Sequence, residues 1–123
     1  MIVVLDNLRS VYNVASIFRT ADGAGCAKII CYGTTPTPFD PFGRPRSAFA
    51  KVALGAERNV AWEYHPQTFR VLERLRKNGV QILALEQSAE AVSYRAVHIT
   101  QKQWTRTALV LGGEVRGISS AVK

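Results

Sequence analysis

Four short runs of this chain are apolar with almost no alternation: Ile2–Leu5, residues 27–32, Val80–Leu85 and Thr107–Leu111. A strand with one wet face alternates apolar and polar side chains. A run that does not alternate needs cover on both faces, as strands of parallel sheets have. Between these runs lie stretches with helical spacing. Strands alternating with helices predict an α/β domain with a mostly parallel sheet flanked by helices. A chain of 123 residues has room for one such domain and no second core, so residues 1–123 are read as a single unit.

The pattern sets expectations along the chain. Asn13 is read as a helix N-cap, with Val14, Ile17, Phe18 and Ala21 on the i, i+3, i+4, i+7 stripe behind it. Gly23 and Gly25 are read as the stop of that helix. Residues 33–45 carry four prolines and two glycines and predict a long loop, of the kind that is functional or mobile. Residues 46–56 predict a short helix with Phe49, Val52 and Ala53 inward, and Asn59–Tyr64 a strand. A helix is expected to open at Pro66, with Phe69, Leu72 and Leu75 or Arg76 marking its faces, and to end at Asn78-Gly79. Residues 88–103 are ambiguous, with a short strand expected near Ala96–Ile99, and a helix is expected to start at Ile118. Ligands of open parallel sheets bind beyond the carboxyl ends of the strands, which singles out loops 6–13, 33–46, 85–89 and 112–118.

Composition narrows the partners. Arginines outnumber lysines 11 to 5 and the net charge is +7, which points to a polyanion, nucleic acid first, or simply to a soluble basic surface. No run approaches the ~20 apolar residues of a membrane span. Met1–Leu5 meets Asp6 at once, too soon for a signal peptide, so the protein is expected to be cytoplasmic. Cys26 and Cys31 lie five apart with no second pair, so they are read as reduced core thiols and no metal site is expected. His65 and His98 lack a constellation of partners in the sequence and are read as structural.

Three segments carry chemistry. Gly112–Gly117 has glycines after a strand and before a helix; this suits a nucleoside ligand or a plain tight turn, and matches neither the dinucleotide nor the P-loop spacing. Arg19, on an otherwise apolar helix, is a rim residue or a phosphate clamp. Arg44, Arg46, Lys51 and Arg58 cluster in and after the long loop, where Phe39 and Phe42 could stack on bases. Arg70, Arg74 and Lys77 share one helical face and read as a solvated face. Ser119 and Ser120 lack a nucleophile-elbow context and read as helix caps, or Ser119 as a ligand contact.

These segments carry a family resemblance. LDNLRSVYNVASIFRTADGAG resembles motif 1 of the SpoU/TrmH branch of the SPOUT RNA methyltransferases, and TALVLGGEVRGIS resembles motif 2. The motifs stand in the family order, with the strand ILALE (Ile82–Glu86) before motif 2. The resemblance implies S-adenosyl-L-methionine-dependent methylation of a ribose 2′-hydroxyl in tRNA or rRNA. It also implies an α/β domain with a deep trefoil knot, working as a homodimer without a metal. Residue by residue, it implies Asn13, Arg19 and Glu114 as the catalytic set. Leu85, Gly112, Gly117 and Ile118 would line the cofactor, and Arg9, Arg44, Arg46, Lys51 and Arg116 would meet RNA. A guanidinium is a permanent cation near neutrality, so Arg19 is assigned an electrostatic role toward phosphate and developing alkoxide rather than that of a base. Glu114 would orient Arg19 or Asn13. The family arginine acts near the partner subunit's cofactor, so dimerisation would belong to the mechanism.

Three departures stand out. Gly113 replaces the common asparagine before the motif 2 glutamate, which is expected to loosen the turn; Ala15 replaces a motif 1 glycine. A Ser-Leu-Asn-rich third motif, which closes the knot and completes the cofactor pocket in the family, is not found before Lys123. These features imply a domain truncated at its C-terminus, with an incomplete knot and no methyl transfer by these residues alone. Two other readings stand beside the enzyme: a catalytically inactive RNA-binding module of the same fold, and an unrelated α/β nucleotide-binding domain.

Overall fold

A computed structural model describes residues 1–67, 69–85 and 98–113. Five parallel strands form one sheet: β1 (Ile2–Asp6), β2 (Lys28–Tyr32), β3 (Ala61–His65), β4 (Gln81–Leu85) and β5 (Thr107–Gly112). Their spatial order is β3-β2-β1-β5-β4. The chain starts in the middle, walks outward to one edge, crosses to the other edge and returns beside its starting strand. The strand order therefore reverses between β1 and β5.

Both faces of the inner strands β2, β1 and β5 are covered, which is why their runs do not alternate. Helix α1 (Val11–Gly23), α2 (Ser47–Ala53) and α3 (Ala56–Asn59) lie on one face. There Val3, Leu5, Ile29 and Cys31 pack with Val14, Phe18, Phe49 and Ala53, and the Phe18 and Phe49 rings meet edge to face at 5.0 Å. Helix α4 (Phe69–Lys77) covers the other face, where Val71 and Leu72 meet Val4, Ile30, Tyr32 and Val110. The two neighbours Val3 and Val4 thus point into different cores, so the run of β1 must be apolar at both parities.

Several boundaries differ from the sequence expectation. The N-cap of α1 is Ser10, whose hydroxyl accepts from the Asn13 backbone N–H at 3.1 Å; Asn13 itself lies inside the first turn. Gly23 closes α1, and Gly25, at φ +74°, turns the chain out of it. The helix expected over 46–56 is broken in two by left-handed residues, Leu54 at φ 52° and Gly55 at φ 89°. Strand β3 runs to His65 rather than Tyr64, and α4 begins at Phe69 rather than Pro66. A short helix, α5 (Gln101–Trp104), is set by a capping box between Thr100 and Gln103. His98 and Ile99 are not strand, and the rest of the strand expected near Ala96–Ile99 lies outside the described residues, as does the helix expected at Ile118.

Candidate active site

Parallel pairing brings every carboxyl end to one edge of the sheet. Read across it, the register sets His65, Tyr32, Asp6 and Gly112 side by side, with Leu85 beyond, level with Leu111. Such an edge gathers backbone ends and loops, and the strand order reverses between β1 and β5.

The loops after β1 and β2 are bolted together here. Asn7 takes a left-handed conformation (φ 56°), which asparagine tolerates better than most residues. Its side-chain oxygen accepts the Thr34 backbone N–H at 3.1 Å, and its amide lies 3.4 Å from a carboxylate oxygen of the buried Asp6. The buried Thr35 hydroxyl accepts from the Leu8 N–H at 3.1 Å and donates to the Leu5 carbonyl at 3.0 Å. Thr34 donates to the Leu8 carbonyl at 3.2 Å, and the Tyr64 hydroxyl donates to the Gly33 carbonyl at 2.8 Å. Gly33 (φ 62°) has no room for a side chain, because a β-carbon would collide with the Asn7 side-chain oxygen. On the β5 side, Gly113 abuts the Asn7 carbonyl: a β-carbon there would stand 2.7 Å from that oxygen. The glycine therefore does not loosen the turn; it permits a close approach at the place where the strand order reverses.

Sequence reasoning had marked the loops but missed Asn7, Thr34 and Thr35 as the residues that fix them. The signal was available. An Asp-Asn pair ending an apolar strand suits a left-handed step, and Gly-Thr-Thr after another strand offers hydroxyls for loop carbonyls.

The candidate residues fall into groups. Leu85 ends β4 and is 55% exposed, an apolar shelf one strand away from the bare backbone of Gly112 and Gly113. That combination fits the cofactor named by the resemblance, since an aromatic base needs an apolar surface and open backbone beside it. Arg9 is exposed in the β1–α1 loop, just before the cap of α1. Asn13 and Arg19 are both exposed on α1 but lie ~9 Å apart along its axis. Arg19 sits ~12 Å down the helix from Val11, away from the sheet edge. The structure thus does not bring Arg19 beside Leu85 through its own strand ends. Arg44 is exposed, with its guanidinium 5.8 Å from the Phe42 ring centre. Arg46 is half-buried and donates from Nε to the Thr37 carbonyl at 3.1 Å. Lys51 is exposed in the last turn of α2. Glu114, Arg116, Gly117 and Ile118 lie outside the described residues.

Two buried groups near the edge are held neutral. Burial pushes the Cys31 thiol up to about 12. Tyr32 is raised well above the usual phenol range, first by burial and then by the Glu63 carboxylate. Among the described residues the Tyr32 hydroxyl has no hydrogen-bond partner. Next to it, His65 Nε2 lies 3.3 Å from a Glu63 oxygen but off the hydrogen-bonding direction. Among the described residues no cluster of His, Cys, Asp and Glu is arranged to hold a metal ion. No helix of the described residues is long and apolar enough to cross a membrane.

The model of the SpoU rRNA Methylase family matches residues 1–123. The chain belongs to that family. It is 27% identical over 122 residues to a tRNA (guanosine(18)-2′-O)-methyltransferase of Aquifex aeolicus, covering 99% of this chain and 53% of that protein. The crystal structure of the A. aeolicus TrmH/SpoU tRNA modifying enzyme superposes with a TM-score of 0.78 at 26% identity, covering 98% of this chain and 56% of that one. The AdoMet-bound rRNA methyltransferase from Sinorhizobium meliloti does so at 0.77 and 30% identity, covering 96% and 41%. The α/β fold with its parallel sheet is thus the fold of SpoU methylase structures, and the family includes a solved member with AdoMet bound. The chain spans about half the length of the relatives it matches.

Proposed function

We propose that this chain is the catalytic part of an S-adenosyl-L-methionine-dependent methyltransferase acting on a ribose 2′-hydroxyl of tRNA or rRNA. The observation that carries the reading is the family match over residues 1–123 on a fold whose parallel sheet sets exposed Leu85 beside the Gly112 strand end. Bound there, the cofactor supplies an electrophilic methyl group. Leu85 would hold the base of the cofactor beside the Gly112 backbone, and by the family resemblance Gly117 and Ile118 would contribute to the same site. The Asn7, Thr34 and Thr35 bonds fix the β1 and β2 ends, and Asn7 in turn abuts Gly113 at the end of β5.

Arg19 acts on the substrate as a fixed cation toward phosphate and alkoxide. Its place well down α1 supports action across a homodimer, on RNA held at the partner's cofactor. Asn13 and Glu114 position the ribose and the guanidinium. Arg9, Arg44, Arg46, Lys51 and Arg116 meet the RNA backbone, with Arg46 working through the loop it ties. The trefoil knot and the dimer are part of this proposal.

The test is methyl transfer from labelled cofactor to tRNA and rRNA, with Arg19→Ala alongside. Because the chain spans about half the length of its relatives, the assay also includes a fusion that supplies the unmatched segments of the A. aeolicus relative. The expected result is transfer by the fusion, lost in Arg19→Ala while S-adenosylhomocysteine still binds. Equal transfer by the variant would overturn the role of Arg19. Cofactor-independent RNA binding without transfer by the fusion would move the assignment to an inactive RNA-binding module.

A further inference from the structure

The long loop after β2 is folded, not slack. Phe39 pairs with Pro45 in an antiparallel bridge, the Asp40 N–H donates to the Arg44 carbonyl at 2.8 Å, and Arg46 N–H donates to the Pro38 carbonyl at 2.9 Å. One Asp40 carboxylate oxygen accepts the backbone N–H groups of both Phe42 and Arg44 at 2.9 Å. Gly43 supplies the left-handed step at φ 78°. The root is anchored where Phe39 stacks on Trp62 of β3, ring centres 6.2 Å apart and planes 27° apart.

This sorts the two phenylalanines. Phe39 lies against Trp62 and is 42% exposed, whereas Phe42 is 82% exposed at the tip. Its ring contact is the Arg44 guanidinium. The nearby carboxylate, Asp40, is turned onto the turn's own backbone, so the tip presents an aromatic face and a cation together. A single exposed phenylalanine is ordinary. One held on a stiff turn against a guanidinium, in a chain of net charge +7, has the two elements of a single-strand nucleic-acid contact.

We propose that Phe42 and Arg44 form a stacking station for one unpaired nucleotide of the RNA, the base on the Phe42 ring and the adjoining phosphate on Arg44. The inference rests on the RNA-methyltransferase reading and adds to it a preference for substrates with an unpaired base. The turn sets the ring and the guanidinium before RNA arrives, which lowers the ordering cost of the contact.

The test uses an RNA hairpin with 2-aminopurine in its loop and a blunt RNA duplex of equal charge, titrated into the chain at low salt. The expected result is tighter binding of the hairpin, with a change in 2-aminopurine emission. Phe42→Ala should weaken hairpin binding about ten-fold and leave duplex binding unchanged, while Phe42→Trp retains the preference. Arg44→Ala should flatten the dependence of log K on log salt by ~0.7. Equal hairpin binding by Phe42→Ala, or equal binding of hairpin and duplex by the parent, overturns the station and leaves the methyltransferase reading standing. No RNA binding by the parent overturns the station, and the methyltransferase reading is then decided by transfer from the fusion. A loss of self-association in Phe42→Ala, seen by sedimentation with unchanged RNA binding, would make the tip a contact between copies and overturn the proposal.

Discussion

The carbonyl oxygen of Asn7 stands 2.7 Å from the point that a β-carbon on Gly113 would occupy. The two residues follow the ends of β1 and β5, the neighbouring strands between which the strand order reverses. A β-carbon there meets backbone, which cannot swing aside. Gly113→Ala should cost about 1–3 kcal/mol in stability. Gly113→Asn should cost at least as much, although it restores the residue common in the family. Thermal unfolding of the two variants checks both, and an unchanged or raised Tm for Gly113→Asn would contradict the close approach.

The Asn7 turn makes a second, graded prediction. Asn7→Ala loses the bond to the Thr34 N–H and places an ordinary residue at φ 56°. Roughly 2 kcal/mol should be lost. Asn7→Gly loses the same bond without the backbone strain, so it should lose less. The order in urea unfolding midpoints should be parent, glycine, alanine.

Thr35 offers a sharper contrast. Its hydroxyl is buried and serves two backbone groups at once, the Leu8 N–H and the Leu5 carbonyl. Thr35→Val keeps the shape and leaves those groups without the hydroxyl, at a cost of about 2–3 kcal/mol. Thr35→Ser keeps the hydroxyl and should be far milder. Equal losses would mean that packing, not the hydroxyl, secures the loop.

Burial of Cys31 within β2 predicts a pH effect with a definite sign. The Cys31 thiol titrates near 9.0 when free and is pushed up to about 12 in the fold. Above pH 9 the unfolded chain loses this proton while the folded chain keeps it, so stability falls as pH rises from about 9 toward 12. The raised Tyr32 phenol acts in the same direction. Cys31→Ala should flatten the alkaline loss measured by chemical denaturation. In the native protein, a thiol reagent at pH 8 should label the half-buried Cys26 before the buried Cys31.

Much of this architecture was legible because burial on two faces leaves a mark in sequence. Val3 and Val4 face different cores, so the run of β1 reads as an inner parallel strand, whereas the equally apolar run Val80–Leu85 forms the edge strand β4. Local backbone chemistry was less legible. Ser10 and Asn13 are both good caps, and the choice between them rests on Val11 packing against the core, which no local pattern reports. The break at Leu54-Gly55 was hidden because leucine seldom adopts positive φ. At the candidate site, the glycines and arginines drew attention by residue type. The bolts, Asn7 and Thr35, act through partners 27 and 30 residues away. Contacts of that span appear only when the strands are set side by side.

The proposed place of the cofactor is against Leu85 and the Gly112-Gly113 backbone. Its most direct test is a titration of S-adenosylhomocysteine into the isotope-labelled chain, followed by amide chemical shifts. Saturable shifts are expected at Leu85, Gly112 and Gly113, with His65 at the far side of the sheet edge unmoved. Absence of any saturable shift, or shifts confined to the Gly33–Thr35 loop or to β3, would contradict it.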